Sequence, residues 1–187
     1  TGIAGNNDPI LNPAINISKS SINFSSNYWL GDIKGSHFSL KKNNKFSQKI
    51  SFQTWNAESI ELRTDKPSTY PLGTFSIHFL SASYSMSHDF NSPYRLGFCL
   101  QTNYSHLFTE DMFGITLDLG ANYNISPIIK IGAVIRNIGY EFSNNLTTNL
   151  PAQYGIGSNF YIPFIKTSVL SDIIYDVNLK QEFRFAL

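Results

Sequence analysis

From Phe113 onward the chain reads as two interleaved rows. Phe113, Ile115, Leu117, Leu119, Ala121 and Tyr123 are apolar or aromatic, and the residues between them, Gly114, Thr116, Asp118, Gly120 and Asn122, are small or polar. After the tetrapeptide NISP the pattern resumes, with Ile129, Ile131, Ala133 and Ile135 alternating with Lys130, Gly132, Val134 and Arg136. Successive side chains of a β-strand point to opposite faces, so a period of two predicts extended segments with one greasy and one polar face. Similar runs recur at residues 21–27, 34–40, 45–55, 74–86, 95–106, 153–161 and 166–175, and helical periodicity is poor. Leu96, Phe98, Leu100 and Tyr104 oppose Gly97, Cys99, Gln101 and Asn103, while Phe46, Ile50 and Phe52 oppose Ser47, Lys49, Ser51 and Gln53. The pattern predicts an all-β, antiparallel protein of about nine strands. Alternation breaks near Phe79 and Leu80, where a β-bulge is expected to shift the side-chain phase by one.

The connections sort by length. KKNNK, HDFNSP, NISP and YIPF are tight, HLFTED is intermediate, and residues 56–73 and 141–152 are long. Outer-membrane barrels alternate short periplasmic turns with longer extracellular loops in this way. Several runs also exceed the usual five or six residues of a strand and suit the about 9–11 tilted residues that cross a bilayer. A half-buried sheet of a water-soluble sandwich alternates as well, so a soluble secreted β-sandwich stays open as an alternative. The polar row favours the barrel, because it is rich in Gly, Ser and Asn and poor in Lys/Glu pairs. That composition suits a crowded wet lumen.

Composition sharpens the choice. Charged residues make up 14% of the 187 residues, against about 25% in an average soluble domain. Aromatic residues also reach 14%, and mean hydropathy is −0.15. A formal net charge of +1 gives no footprint for nucleic acid. The lone cysteine, Cys99, excludes an internal disulfide and a cysteine-based metal cluster. No apolar run approaches the length of a spanning helix. The chain opens without a signal segment and closes on the alternating run EFRFAL, so a longer protein is expected, with a signal peptide before it and further strands after it.

Several segments, in order, resemble the PorV/PorQ-like outer-membrane proteins. GIAGNNDPILNPA carries the glycine-rich opening and the Asn-Pro-Ala motif, here Asn12, Pro13 and Ala14. SSNYWLGDIKGSHFSL is similar to the family's aromatic turn and following strand, and IELRTDKPSTYPLGTFS to its long charged loop. FGITLDLGANYNISPIIKIGAVIRNIGYEF carries the paired DLG and RNIG strings. Leu11 stands where the family has an aromatic residue. The resemblance implies a transmembrane β-barrel related to the fatty-acid-channel fold, sited in the bacterial outer membrane. It also implies a role in type IX protein secretion, with C-terminal domains of exported proteins or other secretion components as partners. On this reading residues 1–20 form an N-terminal plug or periplasmic segment, and residues 21–187 form a barrel incomplete at its C-terminus.

Candidate chemistry is sparse. His37, His78, His88 and His106 show no metal-ligand spacing, and no nucleophile elbow, phosphate loop or dinucleotide fingerprint occurs. No enzymatic activity, cofactor or metal is expected. Asp118, Lys130 and Arg136 lie on the polar rows of two strands joined by the tight NISP turn, and so project to one side. They are expected to form a lumen network, with Asp118 paired to Arg136 and the N-terminal segment held as a plug. The alternative is a wet lumen in which these charges merely hydrate. The long link at 56–73 holds Glu58, Glu61, Arg63, Asp65 and Lys66, candidates for partner binding because recognition concentrates on loops raised above a rigid scaffold. Function divides between docking or shuttling in secretion and a channel for small or hydrophobic molecules.

Overall fold

A computed structural model describes residues 2–4, 11–15, 17, 19–29, 32–65, 69–90, 93–144, 146–177 and 181–186. Among these residues eleven strands make one antiparallel sheet: β1 (Ser21–Trp29), β2 (Ile33–Asn43), β3 (Phe46–Leu62), β4 (Gly73–Phe90), β5 (Tyr94–Leu107), β6 (Glu110–Asn124), β7 (Ile129–Ser143), β8 (Leu146–Asn149), β9 (Gln153–Ile162), β10 (Thr167–Asp176) and β11 (Glu182–Ala186). Each strand pairs with the next in sequence, except that β7 pairs with both β9 and the short β8. No helix occurs among the described residues. Among the described residues the sheet is not closed, and β1 and β11 are its two edges.

Register carries the two rows from strand to strand. Leu100 lies opposite Tyr84 on β4 and Leu117 on β6, so the apolar row is continuous across the sheet. Cys99 lies opposite Ser85 and Asp118, which continues the polar row. The bulge expected at Phe79–Leu80 is absent. β4 pairs β5 without interruption from Ile77 to Phe90, and the inward row simply admits Ile77 and Phe79. The irregularities sit elsewhere. One lies between Ala57 and Ile60 on β3, where Ser59 has φ 57°. The other lies opposite Asp118, which faces both Arg136 and Asn137. Asn137 takes φ 59° there, a left-handed conformation that asparagine tolerates better than most residues. The extra residue keeps Ile135 and Ile138 on the same outer face.

The sheet curls. Lys49 of β3 and Gln153 of β9 line one cavity of about 170 Å³, whereas five strand spacings in a flat sheet would separate them by roughly 24 Å. Around this curl the usual order of polarity is inverted. Leu100, Leu119, Ile156 and Phe185 on the outer row are 42, 41, 67 and 77% exposed, while Ser39, Ser87 and Thr116 on the inner row are 2, 3 and 6% exposed. The buried hydrophobic cluster is small, formed by Ile3 of the N-terminal segment with Val134 and Ile174 of the inner face.

The ends of the strands differ. Among the described residues, turns at 44–45, 125–128 and 163–166 close one end, and the two-residue turn at 108–109 and the short strand β8 stand at the other. β3 and β7 run further than the alternation suggested, so residues 56–62 and 141–143 belong to strands.

Candidate functional site

The interior is shaped by glycines. Gly97 of β5 lies opposite Gly120 of β6, and Gly132 of β7 lies opposite Gly157 of β9. Gly155 lies opposite Val134. None of these glycines has room for a methyl group. A Cβ on Gly97 would strike the Pro13 carbonyl, and one on Gly120 would strike the Asn12 side chain. A Cβ on Gly132 would lie 2.8 Å from the Ile3 carbonyl oxygen, and one on Gly157 would lie 2.8 Å from the Ile3 Cβ. The inner row thus forms a track one side chain deep, and the N-terminal segment occupies it. Gly114 and Gly73 lie off this track and have no such neighbour closer than 3.8 Å.

The segment is held by polar contacts at both ends. The Ile3 N–H donates to both carboxylate oxygens of Asp172 at 3.1 Å. Asn12, fully buried, donates from Nδ2 to the Ile3 carbonyl at 2.9 Å and reaches the Ala121 carbonyl at 3.3 Å. Its Oδ1 accepts from the Ala14 N–H at 2.9 Å, the short-range turn that asparagine side chains favour. Asn122 Nδ2 donates to the Ala14 carbonyl at 3.4 Å, and Ser87 Oγ to the Ile15 carbonyl at 3.3 Å. Ile3, Ala14 and Ile15 are at most 2% exposed. Burying each isoleucine contributes about 1.5–3 kcal/mol, so the apolar contacts hold the segment as firmly as the hydrogen bonds do. In the Asn12-Pro13-Ala14 motif, Asn12 ties the chain to itself and to β6, while Pro13 and Ala14 pack over Gly97 and Gly120.

Beyond the plugged region, toward the long connections, lies the 170 Å³ polar chamber. Asp118 and Arg136 both line it, together with Lys49, Cys99 and Gln101. No ion pair joins Asp118 to Arg136. Asp118 Oδ1 accepts from the Asn137 N–H at 2.8 Å, and Arg136 donates from a terminal nitrogen to Gln153 Oε1 at 2.8 Å. Gln153 Nε2 in turn donates to Asp176 Oδ2 at 2.9 Å. Neither Asp118 nor Arg136 touches the N-terminal segment through any of these bonds. Lys130 lies apart, near the 125–128 turn, in a separate pocket of about 210 Å³ with Asn159 and Ser168. Two of the three charges therefore share a chamber, and the third does not.

The candidates from the 56–73 region divide. Glu58 and Glu61 are on β3, where Glu58 lies 3.5 Å from Lys34 and Glu61 lies 2.7 Å from Arg63. Arg63 and Asp65 belong to the connection, and Lys66 lies outside the described residues. These exposed ion pairs contribute little to stability. Sequence reasoning missed Asp172, Asn122 and Lys49. The only signal for the track was the recurrence of glycine on the inner rows, and it becomes informative only once the register aligns those glycines.

Among the described residues no group of three or more His, Cys, Asp or Glu side chains is placed to hold a metal ion. No helix among them is long and apolar enough to cross a membrane. Compared with protein-family models, curated proteins and solved structures, the chain matches none.

Proposed function

We propose that this chain forms a β-barrel of the bacterial outer membrane and serves, without catalysis, as a docking or shuttle component in protein secretion. The inverted polarity of the sheet carries the barrel reading. Monomeric soluble proteins rarely expose contiguous apolar patches above a few hundred Å². Here a continuous outer row of Leu, Ile, Phe and Tyr runs across ten paired strands. Hydrocarbon is the solvent that such a surface matches, and the Ser- and Asn-rich inner row suits an enclosed aqueous interior. In the membrane both free edges must also be paired, since unpaired backbone groups are costly there.

The N-terminal segment in the interior favours docking over conduction. It fills the track across β5, β6, β7 and β9, which leaves the rim and the connections at 63–72 and 144–152 as the surfaces open to a partner. The type IX character of that secretion comes from the resemblance to the PorV/PorQ-like proteins. The partners are accordingly C-terminal domains of exported proteins.

Refolding in detergent tests the barrel. Band position on a gel should differ between boiled and unboiled samples, as it does for closed membrane barrels. A soluble, detergent-independent protein with no such difference would refute it. Docking is tested by retention of a C-terminal export domain on the immobilised barrel and loss of that retention when residues 63–72 are replaced by a short glycine linker. Ion conductance of the intact chain in a planar bilayer, without retention of the export domain, would replace docking by transport.

A further inference from the structure

We propose that Ser76, His78 and Asn56 form an acyl-transfer site on the outer face of the sheet, with the carboxylic ester of a lipid as substrate. Ser76 and His78 are two positions apart on β4, so both project to the same side as Leu80. Asn56 of β3 lies directly opposite His78. Ser76 Oγ is 3.0 Å from His78 Nε2, and His78 Nδ1 is 3.0 Å from Asn56 Oδ1. The amide oxygen only accepts, so Nδ1 carries the ring proton and Nε2 is left to accept from the Ser76 hydroxyl. Nucleophile, base and orienting group are thus each within hydrogen-bond reach of the next, the arrangement of a serine hydrolase. The neighbouring imidazole, His106, has its ring centroid 6.2 Å from that of His78 and bonds Asp111 instead at 2.8 Å.

A second observation falls at the same place. The pairing of β3 with β4 passes from Ala57–Ile77 to Ile60–Phe75, so Ser76 stands opposite Glu58 and Ser59, which have no register partner on β4. Ser59 takes φ 57° there, a conformation uncommon for a residue with a side chain. Bulges re-aim side chains beside active sites, and strained backbone collects there. With the ladder interrupted, this is the stretch from which β3 can offer a main-chain N–H to an oxyanion.

Position on the sheet selects the substrate. Lys34, Asn56, His78, His106 and Asp111 lie side by side across β2 to β6 and make a polar row. One step toward the middle of the strands, Leu80 faces Tyr104, and Ala82 and Tyr84 continue the outer row of β4. The triad therefore sits at the edge of the apolar band, where the ester of a glycerolipid lies between its acyl chains and its head group. Water is the only co-reactant. His78 Nε2 takes the hydroxyl proton as Ser76 Oγ bonds the ester carbonyl carbon. The bond from that carbon to the alkoxy oxygen breaks, and the imidazolium gives its proton to the departing alkoxide. Water then adds to the acyl-serine with His78 again as base, and the fatty acid leaves as the proton returns to Ser76 Oγ. The choice of a lipid rests on the membrane reading above, whereas the geometry of the triad does not. The activity is additional to docking, which needs no catalysis.

The test uses the refolded full chain in detergent micelles. A biotinylated fluorophosphonate should label Ser76, located by peptide mass spectrometry, and Ser76→Ala should abolish the label. Hydrolysis of p-nitrophenyl palmitate in mixed micelles should fall at least about hundredfold in Ser76→Ala and in His78→Gln. Asn56 is a positioning residue, so Asn56→Ala should lower kcat with KM little changed. Asn56→Asp should restore kcat, because an aspartate orients the same ring nitrogen. Turnover of p-nitrophenyl acetate but not of palmitate, in a chain that keeps its heat-dependent gel shift, overturns the lipid substrate and leaves the barrel standing. Acetate turnover without that gel shift refutes the barrel and leaves the triad standing. No label on Ser76 and no hydrolysis of either ester by the unmodified chain overturn the site, independently of how the variants fold. Hydrolysis left unchanged in Ser76→Ala overturns it equally.

Discussion

The main-chain N–H of Ile3 points between the two carboxylate oxygens of Asp172, 3.1 Å from each, although the residues are 169 positions apart in sequence. This contact fixes the first residues of the chain to β10, five strand steps from the Ser87 hydroxyl on β4 that fixes Ile15. Ile3 and Ile15 are thereby tied to strands five steps apart, and the bond from Asn12 Nδ2 to the Ile3 carbonyl joins the two anchored parts. Asp172→Ala would leave a buried N–H without an acceptor and should cost about 1–3 kcal/mol. Asp172→Asn keeps one acceptor oxygen and should cost less. The urea midpoint in detergent micelles reports the cost. Trypsin cleavage after exposed Lys19 should release the N-terminal peptide more readily from the alanine variant. Equal release from both proteins would show that Asp172 does not hold the segment.

The glycine track makes a sharper, position-specific prediction. Gly97→Val and Gly132→Val place side-chain atoms where the Pro13 and Ile3 carbonyls already lie, and should each destabilise the fold by about 1–3 kcal/mol, as overpacking does. Gly114→Ala, whose added Cβ would come no nearer than 3.8 Å to the Tyr140 carbonyl oxygen, should be close to neutral. Deleting residues 1–17 supplies the control. In the shortened chain the Gly97 and Gly132 variants should add almost nothing to the cost of the deletion itself. If they remain as damaging without the segment, the glycines serve the strands themselves and the track reading fails.

The two rows of the sheet were legible in the sequence because a period of two is a local property of each strand. Leu96, Leu100, Leu117 and Ile135 could be placed on one face from their neighbours alone. The far end of β3 was not legible, since Asn56, Glu58 and Glu61 break the alternation and read as loop, while the pairing of Asn56 with β2 and β4 and of Glu61 with β4 carries the strand across the bulge. The four residues of β8 are too short for a periodic signal. The interior site was legible in composition only. Gly97, Gly120, Gly132 and Gly157 become a track when register sets them side by side, and Asp172 becomes their clamp through a contact that no local pattern announces.

The same limit explains the corrected pairing of Asp118. Alternation placed it on the inner face with Arg136, but the bulge at Asn137 gives the carboxylate a nearer donor in the Asn137 N–H. Asp118→Ala should therefore destabilise the sheet by about 1–3 kcal/mol through the orphaned N–H. The exchanged pair Asp118→Arg with Arg136→Asp should not recover the loss. Asn137→Gly should be tolerated because φ is positive there, whereas Asn137→Val should be costly. Unfolding midpoints of the four variants decide the matter. Full recovery in the exchanged pair would restore the direct ion pair.

The outer face offers the most discriminating substitution. Leu100 sits in the middle of β5, 42% exposed, between Tyr84 and Leu117 on the neighbouring strands. If that face meets water, Leu100→Arg is an ordinary surface change within about 0.5 kcal/mol of neutral. Should the face meet hydrocarbon, an arginine near the midplane costs about 2–4 kcal/mol. The comparison is made by refolding both proteins into lipid vesicles and following the unfolding midpoint with urea. A large loss for Leu100→Arg, set against a small one for Gln101→Arg on the inner row, places the boundary between the two solvents at the backbone of this strand. Equal, small losses at both positions would leave the apolar row without its hydrocarbon and overturn the membrane assignment.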